Sequence, residues 1–190
     1  MLRCINLFNW TNYKCKGGGC SWGFEPCDTS DSIKVQSVNP MDFEVEITQL
    51  YERAYRGLEE YADTDPEDIK RYLKWLYRRA EGGFLAAFEG SRIVGFVSTD
   101  HKWASPEGHI VGEIHEIVVD PSYQGHGIGK LLLMEAINLL TQKGVKIIEL
   151  WAGEKNFHAQ DFYKSQGFLE MERRGRWIRF IKDLEEQERA

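Results

Sequence analysis

Gln124 is followed by Gly125-His126-Gly127-Ile128-Gly129-Lys130, which sets three glycines at alternate positions. Glycine lacks the Cβ that would hold a ligand away from the main chain. A turn that feeds a helix also presents unpaired N–H groups at the positive end of the helix dipole. Such a loop can cradle a phosphate or diphosphate on its backbone. Glycines also make ordinary turns, so the flanks decide. An apolar run ending at Val119 precedes the loop, and an amphipathic run starting near Ile128 follows it. Strand before and helix after point to a phosphorylated ligand.

Elimination narrows the ligand. Lys130 is followed by Leu131 rather than Ser or Thr, and the G-x4-G-K pattern is absent, which excludes a Walker A loop. A dinucleotide fold sets G-x-G-x-x-G after its first strand, whereas this loop follows the fourth. Glu149 lies about twenty residues downstream but inside a strand, not at its carboxyl end. A nicotinamide dinucleotide is therefore the weaker alternative.

The elements that position the loop can be read from periodicity. Ile33, Val35 and Val38 mark a short first strand, and Phe43, Ile47, Leu50, Tyr51, Ala54 and Leu58 a first amphipathic helix. Asp65-Pro66 starts a second helix whose apolar face is Ile69, Tyr72, Leu73, Leu76, Tyr77 and Ala80. Residues 84–88 and 92–99 read as a hairpin, 110–119 as the fourth strand and 128–142 as a long helix. A fifth strand over 145–151, a helix over 156–166 and a hairpin over 168–172 and 177–181 complete the chain. The order β-α-α-β-β-β-α-β-α-β-β predicts an α/β fold with a central mixed sheet of about seven strands and about four helices.

The chain has 190 residues, a net charge of −6 and 42% hydrophobic residues, which fits one main globular domain. Its acidic balance argues against a nucleic-acid partner. No apolar run approaches the ~20 residues that cross a bilayer, and the start has no secretory pattern, so a cytoplasmic protein without membrane contact is expected. The composition allows a homodimer. Cys4, Cys15, Cys20 and Cys27 are the only cysteines. Their clustering marks 1–31 as a separate N-terminal extension before a domain over 32–190. A structural zinc on all four, two disulfides and free packed thiols are all open; four sulfurs suit tetrahedral zinc, but the spacing lacks C-x2-C knuckles.

The segment Val118-Val119-Asp120-Pro121-x-Tyr123-Gln124-Gly125-His126-Gly127-Ile128-Gly129 resembles the acyl-CoA pyrophosphate motif, Q/R-x-x-G-x-G/A, of the GNAT superfamily of N-acyltransferases. Asn156-x2-Ala159-x2-Phe162-Tyr163-x3-Gly167-Phe168 is similar to that superfamily's second signature. The resemblance covers about 32–182 and implies transfer of an acetyl group from acetyl-CoA to a primary amine, on a small molecule or a peptide, in a ternary complex. A non-catalytic acyl-CoA sensor is the alternative.

The resemblance also implies roles. Amides of Gly125, His126, Gly127, Ile128, Gly129 and Lys130 hold the pyrophosphate, and Gln124 opens the loop. Main-chain groups of Ile117, Val118 and Val119 pair with the pantetheine arm where the fourth and fifth strands splay, and Val119 supplies an oxyanion donor. Tyr163 protonates the leaving thiolate and Asn156 meets the CoA arm. The amine's proton goes to a carboxylate on the fourth strand, Glu113 ahead of Glu116, with His115 able to relay it. On a regular strand Glu113 and Glu116 would project from opposite faces. The first two helices and the last hairpin would wall the acceptor with Tyr51, Tyr55, Tyr61, Trp75 and Trp177, and with Arg173, Arg174 and Arg176.

Overall fold

A computed structural model describes residues 33–185. The four cysteines and the extension expected over 1–31 lie outside the described residues. The elements are β1 (Lys34–Ser37), α1 (Glu44–Ala54), α2 (Pro66–Ala80), β2 (Phe84–Glu89), β3 (Arg92–Ala104) and β4 (Ile110–Val119). They continue with α3 (Ile128–Gln142), β5 (Ile147–Gly153), α4 (Phe157–Ser165), β6 (Leu169–Arg174) and β7 (Trp177–Asp183). Local chemistry sets their limits. The Asp65 carboxylate accepts the Glu67 and Asp68 N–H groups, Pro66 takes the first turn, and Glu81 ends α2 in the left-handed region.

The seven strands form one sheet in the order β1-β2-β3-β4-β5-β7-β6. The β4–β5 pair alone is parallel, the crossover being α3. This is the expected mixed α/β architecture. Ile117, Val119, Leu132, Ala136, Ala159 and Tyr163 belong to the core on the α3 and α4 face. Ile47, Leu50, Leu73, Phe96 and Val118 belong to the core on the α1 and α2 face. Both faces of the central strands are covered, so β4 is buried from Val111 to Val119.

Two expectations change. β3 runs on to Ala104 instead of stopping at Thr99, and it carries Asp100 into the interior. The regular alternation of β4 also fails. Thr99 pairs with Ile114 and Ser98 with Glu116, so His115 is an extra residue on β4. This bulge turns Glu116 onto the α1 and α2 face, the side that Glu113 and His115 already occupy.

Candidate active site

The parallel ladder is short. It joins Gly112 to Ile148, Glu113 to Glu149 and Ile114 to Leu150, and there it stops. Beyond it, among the described residues, Ile117, Val118 and Val119 pair only with Val97, Phe96 and Gly95 of β3. Trp151, Ala152 and Gly153 keep their β7 partners, Arg179, Ile178 and Trp177, but have no ladder partner on β4. The facing edges of β4 and β5 thus diverge into a wedge, where main-chain groups of 117–119 can pair with an extended ligand as with an added strand.

The glycine loop lies at the wide end of this wedge. The Gln124 side-chain amide donates to the Val119 carbonyl at 3.3 Å, tying the loop to the strand. Gly127 has φ 83°, a conformation that favours glycine, and a side chain there would enter open space. Leu131 is the first residue whose N–H bonds back into α3, to Gly127 at 3.0 Å. The amides of Ile128, Gly129 and Lys130 therefore have no acceptor within the helix. Asp120 fixes the preceding turn by accepting from the Ser122 N–H at 3.0 Å and hydroxyl at 2.6 Å. Burial opposes its ionisation, but Ser122 and the Arg53 guanidinium hold the carboxyl down at about 2.

On the α1 and α2 face, Glu116 is held by two phenols. Tyr55 donates to Oε1 at 2.6 Å and Tyr72 to Oε2 at 3.0 Å. Burial first, then the neighbouring Glu116, raise the Tyr55 pKa well above its ordinary value, so the phenol stays a donor. Glu113 is set differently. It lies inside the ladder, fully buried beside Glu149, and burial followed by the Glu149 charge raises its pKa well above the usual range. Glu149 is paired with Arg179, whose Nε donates to Oε2 at 2.8 Å. His115 lies between Trp75 and Trp103, with ring centres 4.8 and 4.9 Å away. Its Nδ1 is 4.0 Å from Glu113 and its Nε2 3.7 Å from Asp100. Burial lowers the His115 pKa, so the ring is neutral near pH 7.

Tyr163 belongs to the opposite face, buried on α4 against Phe162, Phe168 and Phe180. The sheet and its wedge therefore lie between Tyr163 and Glu116. Asn156 caps α4, accepting the Ala159 N–H at 3.2 Å. His126 and Lys130 are exposed beside the loop. Of the expected acceptor wall, Tyr51, Tyr55 and Tyr61 are buried, and Tyr61 meets Trp177 edge-on at 5.2 Å. Arg173 and Arg174 are ion-paired with Glu154 and Glu172. Periodicity places Tyr72 on an apolar helix face and carries no hint of its hydroxyl's partner. Arg179 had one signal, a charge in mid-strand.

Residues 45–168 match the model of the family described as acetyltransferase (GNAT) family. An uncharacterized N-acetyltransferase of Methanocaldococcus jannaschii is 42% identical over 72% of this chain, and the match spans 61% of that protein's length. A Pyrococcus horikoshii protein of known crystal structure is 41% identical with a TM-score of 0.73, over 80% of this chain and 98% of that one. The PaiA N-acetyltransferase of Thermoplasma acidophilum, solved in complex with coenzyme A, shares the fold at 21% identity, with a TM-score of 0.66 over 80% of this chain and 99% of that one.

Proposed function

The chain belongs to the acetyltransferase (GNAT) family, and from that premise we propose that it transfers the acetyl group of acetyl-CoA to a primary amine by direct attack in a ternary complex. The observation that carries this reading is the wedge between β4 and β5, with the glycine loop at its open end and Glu116 and Tyr163 on its two sides. Amides of 125–130 receive the diphosphate, and main-chain groups of 117–119 align the pantetheine arm. Asn156 acts by setting the start of α4, which carries Tyr163.

The Glu116 carboxylate, rather than Glu113, accepts the amine's proton, directly or through water. Two phenols orient it just past the end of the ladder, whereas Glu113 is buried within the ladder and held toward its neutral form. The amine nitrogen attacks the thioester carbon, and a main-chain amide such as that of Val119 stabilises the oxyanion. The C–S bond then breaks, and the thiolate takes a proton from the Tyr163 hydroxyl. The acceptor is a small-molecule or peptide amine, and 32–190 suffices for the chemistry. No helix among the described residues is long and apolar enough to cross a membrane.

Thermal unfolding with added acetyl-CoA tests the binding half. Ligand a hundredfold above Kd stabilises by ~2.7 kcal/mol, and Gly127→Glu abolishes this by putting bulk and negative charge in the diphosphate path. Thiol release over a panel of amines tests the transfer. Absence of an acetyl-CoA shift at millimolar ligand would overturn the reading.

A further inference from the structure

Beyond the carboxyl end of β4, on the α1 side, lies a cleft of about 470 Å³ lined by Arg53, Arg56, Arg92, Asp120, Pro121 and Ser122. That volume is in the range of small-ligand sites. Three guanidiniums share it with one carboxylate. Asp120 Oδ2 accepts from Arg53 Nη2 at 2.8 Å and from Arg92 Nη2 at 3.2 Å, while Oδ1 is taken by Ser122. The Arg92 guanidinium also lies 5.3 Å from the centre of the Tyr123 ring, which steadies it. Arg56 is exposed, and the Glu59 carboxylate, which accepts the Gly57 N–H at 2.8 Å, lies within reach of its charge. The lining residues thus set three guanidiniums against one carboxylate, and that carboxylate already has donors on both oxygens.

We propose that this cleft binds a phosphate-class dianion carried by the amine acceptor, at a site separate from the diphosphate loop. A dianion matches the surplus charge, and guanidinium forks suit phosphate oxygens. Position links the cleft to the chemistry. Arg53 and Arg56 flank Tyr55, whose hydroxyl holds Glu116. Asp120 follows Glu116 by four residues, a rise of ~13 Å along an extended strand. The acceptor is accordingly an amine whose phosphate group lies on the order of 10 Å from the nitrogen. The ligand's role rests on the acetyl-transfer reading; the binding of phosphate to the cleft does not.

The test titrates inorganic phosphate into wild-type protein, with and without saturating CoA, and follows the unfolding midpoint against chloride at equal ionic strength. Phosphate raises the midpoint in both states. Arg56→Gln and Arg92→Gln bind phosphate about tenfold more weakly and keep CoA affinity within about twofold. Arg56 is exposed and its attraction to Glu59 is screened by solvent, so its variant stays close to the wild-type midpoint without ligand. The proposal is overturned if wild type shows no phosphate-specific shift or if Arg56→Gln shows the same shift. It is also overturned if the variants lose affinity for CoA but not for 3′-dephospho-CoA, because the arginines would then serve the cosubstrate's own phosphate. A protein that binds phosphate but not CoA would instead overturn the acetyl-transfer reading alone.

Discussion

Glu113 and Glu149 face each other across the parallel β4–β5 ladder, both fully buried, and a single guanidinium, Arg179, reaches Glu149. Burial and the neighbouring charge raise the Glu113 pKa well above the ordinary carboxylate value. A carboxyl whose folded pKa is raised contributes stability that is complete below its unfolded pKa and is lost as pH rises through the folded value. Glu113→Gln removes this titration but keeps the shape. Urea unfolding at about pH 5 and pH 8 should show the variant gaining stability relative to wild type as pH rises. A difference independent of pH would show that Glu113 is already ionised in the fold. Activity of the variant near pH 7.5 should stay within about threefold of wild type.

Glu116 gives the contrasting outcome. Replacing it with Gln should lower kcat by ~10² to 10⁴ with the acetyl-CoA dissociation constant nearly unchanged. Tyr55→Phe should lower kcat about three- to tenfold, because a phenol hydrogen bond that orients Glu116 is lost. If Glu113→Gln abolishes turnover and Glu116→Gln does not, the two carboxylates exchange roles.

What was legible in the sequence was local. The glycines at 125, 127 and 129 announce a loop, Asp65-Pro66 announces α2, and the spacing from Asn156 to Phe168 announces a capped helix ended by Gly167. Each signal depends on residues a turn or two apart. The side of the sheet that Glu116 faces depends instead on a bulge set by the β3 partner strand, where Ser98 and Thr99 skip His115. No local pattern encodes that register. The length of β3 was hidden for a similar reason. Asp100, His101 and Lys102 look like turn residues, but Arg79 of α2 pairs with Asp100, and the chain continues as an irregular strand. The phenols on Glu116 belong to Tyr55, just past α1, and Tyr72 of α2, both distant in sequence, so the sequence alone ranks this carboxylate behind Glu113.

Tyr163 tests the leaving-group half of the chemistry. Its ring packs among three phenylalanines, so Tyr163→Phe keeps the packing and removes only the hydroxyl. The expected result is a fall in kcat of ~10² with the acetyl-CoA dissociation constant nearly unchanged. The unfolding free energy should change by about 1 kcal/mol or less. Wild-type turnover in this variant would assign the proton to water and leave Tyr163 a packing residue.

Gly153 ends β5 against the Tyr61 ring. A methyl group there would stand 2.6 Å from Cζ of Tyr61, well inside contact distance, so the ring would have to move. That ring meets Trp177 edge-on at 5.2 Å, and its hydroxyl accepts the Lys155 N–H at 3.2 Å. Gly153→Ala should therefore destabilise the fold by ~1–3 kcal/mol through overpacking. It should also raise KM for the amine while leaving acetyl-CoA binding intact, because the atoms nearest the added methyl all belong to Tyr61 and none to the glycine loop. Tyr61→Leu in the same chain relieves the clash, so the two changes should be non-additive, the double variant being more stable than the sum of the single effects implies. Strict additivity would mean that Gly153 and Tyr61 do not constrain each other in solution, and the wall of the acceptor site would have to be sought elsewhere.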